Sequence, residues 1–262
     1  MTTLVLLPHQ DDEIFSLTRL SYRISKGERV VAAFLTDGSF LGHSPAVRDS
    51  ESRQCLTAIG ILERDLHFLH RKTGVRDMAL AASLDLVWPQ LLSLVHQTSC
   101  SALIMPAWEG GHPDHDAAYL LGTALARRFS SIRAEQVFMY NGAGTAHPFF
   151  RTMSPLAAGA QATGDCVPYR AGLATLASIG RFPSQWRSLW PLAPGIAKRL
   201  LLERREATQE IRPEAAAKRP HDGSLFYERL GRMSWSRFVM EAGPFVRAHL
   251  PQVAMADAWV AT

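Results

Sequence analysis

The stretch Thr3-Leu4-Val5-Leu6-Leu7-Pro8-His9-Gln10-Asp11-Asp12-Glu13 frames the reading of the whole chain. A short apolar run ends at Pro8 and passes directly into an imidazole and three carboxylates, after which Ile14, Leu17, Leu20 and Ile24 recur at helical spacing. Strand, polar cluster and helix thus follow one another within 25 residues. The order repeats nearly a hundred residues later: Ala102 to Ala107 is apolar, His112-Pro113-Asp114-His115-Asp116 is polar, and Ala117, Leu120, Leu121, Ala124 and Leu125 line one helical face.

Between and beyond these units the same rhythm holds. Val30 to Thr36, Leu66 to Leu69 and Gln136 to Tyr140 read as strands, and Val47 to Ile59 and Leu84 to Val95 as helices, with Pro89 blurring the start of the latter. Five strands and four helices in alternation predict an α/β fold, a Rossmann-like, mostly parallel sheet flanked by helices. Past about residue 142 the rhythm is lost. Asn141 to Pro168 reads as loop, and Arg170 to Ile179, Ile196 to Ile211 and Trp235 to His249 as helical pieces. The expected layout is one domain over residues 1–262, with residues 1–140 as the core and residues 141–262 as a mainly helical and loop elaboration that shapes a cleft.

The bulk composition is that of an ordinary globular protein: 262 residues, 47% hydrophobic and 20% charged. Cys55, Cys100 and Cys166 are isolated and odd in number, which argues against a disulfide framework or a thiolate metal site and for a reducing compartment. No basic leader precedes Leu4 to Leu7, and that run is too short for a membrane span, so a cytoplasmic protein is expected. The net charge of +4 is concentrated between Lys198 and Arg237, where ten Lys/Arg face six Asp/Glu. This surplus reads as a solvated helical face before it reads as an anion- or membrane-attracting patch, and no motif supports nucleic-acid binding.

Both polar clusters fall where a strand ends and a helix begins. Open parallel sheets bind ligands outside the carboxyl ends of strands at a topological switch point, so the clusters meet if the first and fourth strands are neighbours there. Pro113 suits the first position of a helix, with Asp114 and Asp116 in its first turn opposing the macrodipole. Catalytic zinc sites use three ligands from His and carboxylate plus an open position. His9, Asp12 and His115 are the predicted ligands, because the adjacent carboxylates Asp11 and Asp12 do not easily reach one ion together. Asp11 then remains as the base for a zinc-activated water, His112 as donor to the developing oxyanion when protonated, and Asp114 as the partner that orients an imidazole. Zinc suits this His, His, carboxylate set, and ferrous iron fits it too.

These residues resemble the PIG-L/LmbE-like family of zinc-dependent N-deacetylases, whose first motif usually reads Ala-His-Pro-Asp-Asp-Glu and whose later motif reads His-Pro-Asp-His. Pro8 to Glu13 matches the first with Pro8 for Ala and Gln10 for Pro, and His112 to His115 matches the second in full. Thr36-Asp37-Gly38 and Arg48-x-x-Glu51 leading to Ala58-Ile59-Gly60 extend the resemblance over roughly residues 3 to 140. It implies a metal-dependent hydrolase that removes the acetyl group from an N-acetylglucosamine-type sugar or glycoconjugate, with a small N-acetylated sugar as partner. It also makes Arg48 and Asp77 substrate-binding candidates, Arg48 against the competing reading of a surface pair with Glu51. Trp108 and Glu109, just before the second cluster, read as the pocket rim, with Gly110 and Gly111 admitting a ligand close to the backbone. Trp108 reads equally well as a cap on the core. Gln185, Trp186, His221 and Tyr227 are further candidates for substrate choice. The rival functions are a metal-dependent amidase or carbamoyl hydrolase on another metabolite, and a metal-free nucleotide-sugar-binding protein. The second lacks the Gly-x-Gly-x-x-Gly that a dinucleotide-binding version needs after its first strand.

Overall fold

The computed structural model describes residues 1–39, 42–156 and 163–260. Its first five strands are β1 (Thr2–Leu7), β2 (Arg29–Phe34), β3 (Leu66–Phe68), β4 (Ala102–Pro106) and β5 (Arg133–Val137). They pair in parallel in the order β3-β2-β1-β4-β5, so β1 and β4 are neighbours, with Thr3 opposite Ala102 and Val5 opposite Ile104. The chain leaves β1 toward β2 on one side and later returns to β4 on the other. That reversal is the switch point, and both polar clusters follow the two strands that flank it.

The strands alternate in the faces they bury. Leu4, Leu6, Val31, Ala33, Leu103 and Met105 enter one core, whereas Val5, Leu7, Val30, Ala32, Phe34 and Ile104 enter the other. Burial on both faces explains why these strands read as continuous apolar runs. Four longer helices cover the two faces: α1 (Leu17–Ser25), α2 (Pro45–Ala58), α4 (Leu84–Thr98) and α5 (Pro113–Arg128), with the single turn α3 (His70–Thr73) after β3. Leu17, Leu20, Cys55 and Leu56 supply the second core, and Leu84, Leu91, Leu120 and Leu121 the first. Helix α4 runs through Pro89, which removes one backbone donor without ending it. Among the described residues no helix is long and apolar enough to cross a membrane.

The C-terminal part departs from the sequence reading in two places. Arg205–Glu210, expected as the end of a helix, is a strand that pairs antiparallel to β5 and to a further strand at Thr163–Cys166, which completes a seven-stranded sheet. Its Glu206, Ala207, Thr208 and Gln209 are all buried, so neither hydrophobic periodicity nor polarity identifies it. Of the expected Ile196 to Ile211 segment only residues 196–202 are helical, as the end of the helix Ala193–Ala197 and the π-turn Lys198–Leu202. Within the expected loop a small hairpin forms between Tyr140–Asn141 and Arg151–Thr152. Residues 157–162 of that loop lie outside the described residues. Helices at Tyr169–Ser178 and Trp235–His249 agree with expectation, and the latter packs Phe238, Phe245 and Val246 into the first core.

Candidate active site

The backbone sets the site geometry. After β1 the chain makes a 3-10 turn at Asp12–Phe15 rather than entering a helix directly, and Asp11 precedes that turn with φ 125°. Positive φ in a residue with a side chain costs of order 1–3 kcal/mol and is retained where surrounding structure over-determines it. Here the Asp11 N–H donates to Glu13 Oε2 at 2.9 Å, and the Arg48 guanidinium donates to the Gln10 carbonyl and, at 3.1 Å, to Asp11 Oδ1. The strained link turns the two adjacent carboxylates apart: Asp11 faces Arg48, and Asp12 faces the imidazoles.

Asp12 bridges two histidines. One carboxylate oxygen lies 3.2 Å from His9 Nδ1 and the other 3.2 Å from His115 Nε2, while the His9 backbone N–H donates to Asp12 at 2.8 Å. His115 sits in the first turn of α5 and is 1% exposed; Asp12 is the neighbour of its Nε2, and its Nδ1 has no hydrogen-bond partner among the described residues. His9 Nε2 lies 3.1 Å from Asp114 Oδ2, and Asp114 also accepts from the backbone N–H groups of Met78 (2.7 Å) and Leu80 (3.1 Å). Asp114 on Nε2 orients the ring so that Nδ1 faces Asp12.

His112 caps α5: its Nδ1 accepts the Asp114 N–H at 3.2 Å. With Nδ1 as acceptor, the neutral ring carries its proton on Nε2, which points toward Asp77 Oδ1 at 3.9 Å. Burial, together with the nearby His9 charge, holds the His112 pKa well below the ordinary histidine value. A neutral His112 ring held in this way would donate through Nε2, whereas the sequence reading has it act when protonated. His9, His112 and His115 bring one nitrogen each within 4.8 Å of one another, and a second such group joins His9, Asp77, His112 and Asp114. A cluster able to hold a metal ion is thus present.

Charge in the site is divided unevenly. Burial opposes an ion at His9, but Asp77, Asp12 and Asp114 outweigh it and raise its pKa well above the usual value. Burial likewise opposes the charged forms of Asp12 and Asp77, yet the histidines hold Asp12 well below the carboxylate range, and His9, His112 and Arg48 do the same for Asp77. Asp11 goes the other way: desolvation lifts it to about 7 against the pull of Arg48.

Desolvation also lifts Glu13 to about 8 and Glu109 to about 7. A carboxyl raised in the folded state keeps a proton that the unfolded chain has lost, so stability is full below the unfolded value near 4 and falls as pH rises toward the folded one. His9 acts in the same direction above its ordinary value, and His112 opposes. Chelator-treated protein is therefore expected to melt at a lower temperature at pH 8 than at pH 5. A higher melting temperature at pH 8 would contradict this balance.

A cavity of about 360 Å³ opens over the cluster. His9, Asp11, Asp12, Arg48, Asp77 and His112 form its polar part, Phe15, Tyr140, Phe150, Leu189, Leu192 and Phe226 an apolar wall, and Arg187 and Arg232 add cations. Asp77 and Arg48 do line the cavity, but Arg48 and Glu51 are both buried, and Glu51 accepts from Ser184, so the surface pair does not form. Trp108 and Glu109 are not on the rim. Trp108 packs in the core against Tyr119, Trp235 and Phe238 and donates through Nε1 to the Lys218 carbonyl, the core-cap reading of that residue. Glu109, fully buried, accepts from the N–H groups of Met139 (2.6 Å) and Tyr140 (3.1 Å) and from the Asn141 side chain (3.0 Å). Gly111 serves the same junction: a Cβ there would meet the Tyr140 carbonyl oxygen, so its bareness admits backbone, not ligand. Of the C-terminal candidates, Gln185 lines the cavity, whereas Tyr227 is buried against Phe238. Sequence reasoning missed Tyr140, Phe15, Phe150, Phe226, Arg187 and Arg232. Only Tyr140, at the end of a predicted strand, carried a local signal.

Fold and site together define a doubly wound α/β protein with a buried His and carboxylate cluster at the carboxyl ends of β1 and β4. Residues 4–126 match the PIG-L family, described as GlcNAc-PI de-N-acetylase. No curated protein sequence matches the chain. Among solved structures it is similar to a teicoplanin deacetylase in its zinc-inhibited form (14% identity, 80% of this chain and 99% of that one, TM-score 0.55). It is also similar to the N,N'-diacetylchitobiose deacetylase of Pyrococcus horikoshii (15% identity, 80% and 83%, TM-score 0.51). A third similar structure is the 4-carboxy-2-hydroxymuconate hydratase of Pseudomonas putida KT2440 (12% identity, 81% and 96%, TM-score 0.54). At these identities the likeness is one of fold.

Proposed function

We propose that this chain is a metal-dependent N-deacetylase that hydrolyses the acetamide of an N-acetylglucosamine-type sugar or glycoconjugate, releasing acetate and a free amine. The observation that carries the reading is the Asp12 carboxylate set 3.2 Å from both His9 Nδ1 and His115 Nε2, with the adjacent Asp11 turned away from both and open to the cavity. The match to the PIG-L family supports the reaction class. The hydratase shows that the fold alone does not, so the reading rests on the site.

The donor set fits a divalent ion. An imidazole as buried as that of His115, with an unpartnered nitrogen and only a carboxylate beside the other, is costly unless an ion takes up a lone pair there. His9, Asp12 and His115 would hold the ion, zinc by the softness of the donors, with ferrous iron as the alternative. When bound, the ion supplies Lewis-acid polarisation of the amide and a more acidic water.

The chain's own residues do the rest. Water adds to the acyl carbon as Asp11 takes its proton, and the C–N bond breaks as the same carboxyl returns that proton to the leaving nitrogen. A group lifted to about 7 by burial suits both halves of that task. Arg48 keeps one Asp11 oxygen fixed at 3.1 Å. Asp114 orients the His9 ring. His112 offers a neutral Nε2–H from the cavity wall to the oxygen that gains charge, and replacing it by Ala is expected to lower kcat by about 10²- to 10³-fold with little change in KM. An unchanged kcat would remove it from that role. Phe15, Phe150 and Phe226 supply the apolar wall that limits water around the reacting amide.

Acetate release from a panel of N-acetylated sugars and glycoconjugates tests the proposal. Turnover on these substrates is the expected result. Turnover only on non-sugar amides or carbamoyl compounds would replace the substrate class.

A further inference from the structure

Gln10 lies between His9 and Asp11, is fully buried and takes no part in the cavity wall. Its Nε2 donates to the Thr36 carbonyl at 3.2 Å and to Asp49 Oδ1 at 2.8 Å. Both partners are acceptors, which fixes the orientation of the carboxamide. Asp49, 2% exposed on α2, is held in turn by α3: His70 Nε2 lies 3.1 Å from its Oδ1, and Arg71 donates to its Oδ2 through Nε (2.9 Å) and Nη2 (2.6 Å). Arg48, the residue before Asp49, grips the same dipeptide from its backbone side by donating to the Gln10 carbonyl and to Asp11 Oδ1. Space at this junction is closed, because a Cβ at Gly38 would meet both Arg48 and the Gln10 amide oxygen.

One turn of α2 therefore holds Gln10 by side chain and by main chain, immediately before the residue with φ 125°. We infer that Gln10 and Asp49 are positioning residues: they hold the His9 to Asp12 segment in the strained conformation that aims Asp12 at the imidazoles and Asp11 at the cavity. Neither touches substrate or ion. Their effect passes through the four residues they anchor, and it reaches back through Asp49 to α3. For the roles of Asp11 and Asp12 the inference rests on the deacetylase reading, whereas the anchoring itself does not.

The test is a double-mutant cycle with two readouts. Gln10→Met keeps the volume and removes both hydrogen bonds, and Asp49→Ala removes the acceptor. Each is expected to lower kcat for acetate release about 10- to 100-fold at nearly constant KM, and to weaken zinc binding to chelator-stripped protein by a similar factor. The double variant should be no worse than the poorer single one, because both remove the same tether. Asp49→Asn keeps an oxygen for Gln10 and should recover most of the loss, and it carries the test if Asp49→Ala does not fold. Variants that melt earlier yet keep wild-type kcat per folded molecule and wild-type zinc affinity would overturn the inference, as would losses that simply add. Zinc affinity is read without turnover, so a wild-type protein inactive on acetamides would remove the deacetylase reading and leave this one still decided by binding.

Discussion

Asp11→Asn is expected to lower kcat for acetate release by about 10²- to 10⁴-fold, the contribution of a positioned acid and base, or about 3 to 5 kcal/mol in the barrier. Asn matches Asp in shape, tolerates positive φ comparably and still offers Arg48 an oxygen, so the turn before Asp12 should survive. Zinc binding should survive as well, because Asp11 faces Arg48 and not the histidines. What is lost is the capacity to take and return a proton. The wild-type acid limb in kcat/KM follows from the same residue: desolvation lifts Asp11 to about 7, and a bound cation favours the carboxylate, so the limb lies at or below that value and activity falls with pH beneath it. The Asn variant should lack the limb. A variant with wild-type kcat, or with the acid limb intact, would take the base role from Asp11.

His115→Ala is expected to abolish acetate release and the thermal stabilisation that zinc confers. The imidazole is 1% exposed, fixed in the first turn of α5, and has Asp12 at 3.2 Å as its ionic neighbour. Ala is a good helix former, and Asp12, which loses His115, keeps the His9 ring and backbone N–H as partners, so the variant should fold. Added zinc raises the melting temperature of a protein that binds it in the folded state, by an amount that grows with concentration over the dissociation constant. Wild-type protein should show that rise and His115→Ala should not. A variant that keeps both the zinc-dependent rise and the activity would exclude His115 as a ligand.

The parts of the site that the sequence makes legible are those coded locally. Apolar runs ending in His9 and before His112 place both clusters at strand ends, and Pro113 with two acids marks a helix start that holds His115 in its first turn. The conditional step, β1 beside β4, is a topological property that the alternation of strands and helices makes expected. Legibility fails where partners are distant in sequence. Trp108 and Glu109 adjoin the second cluster, yet one is drawn into a core built by Trp235 and Phe238 and the other onto the backbone of Met139 and Tyr140. Asp114 is steadied by Met78 and Leu80, and Gln10 by Asp49, contacts that no spacing encodes. The strand Arg205–Glu210 is polar in composition and buried in fact, because its Gln209 pairs with Gln136 across the sheet and Glu206 accepts from Thr18.

The central claim is that an ion held by His9, Asp12 and His115 serves hydrolysis assisted by Asp11. Titrating zinc into chelator-stripped protein while following acetate release on an N-acetylated glycoconjugate tests it most directly. The account predicts that activity is absent at the start, rises in step with bound zinc and saturates at one ion per chain. Full activity in the stripped protein, or zinc bound at that stoichiometry with no acetate released from any acetamide, would contradict it.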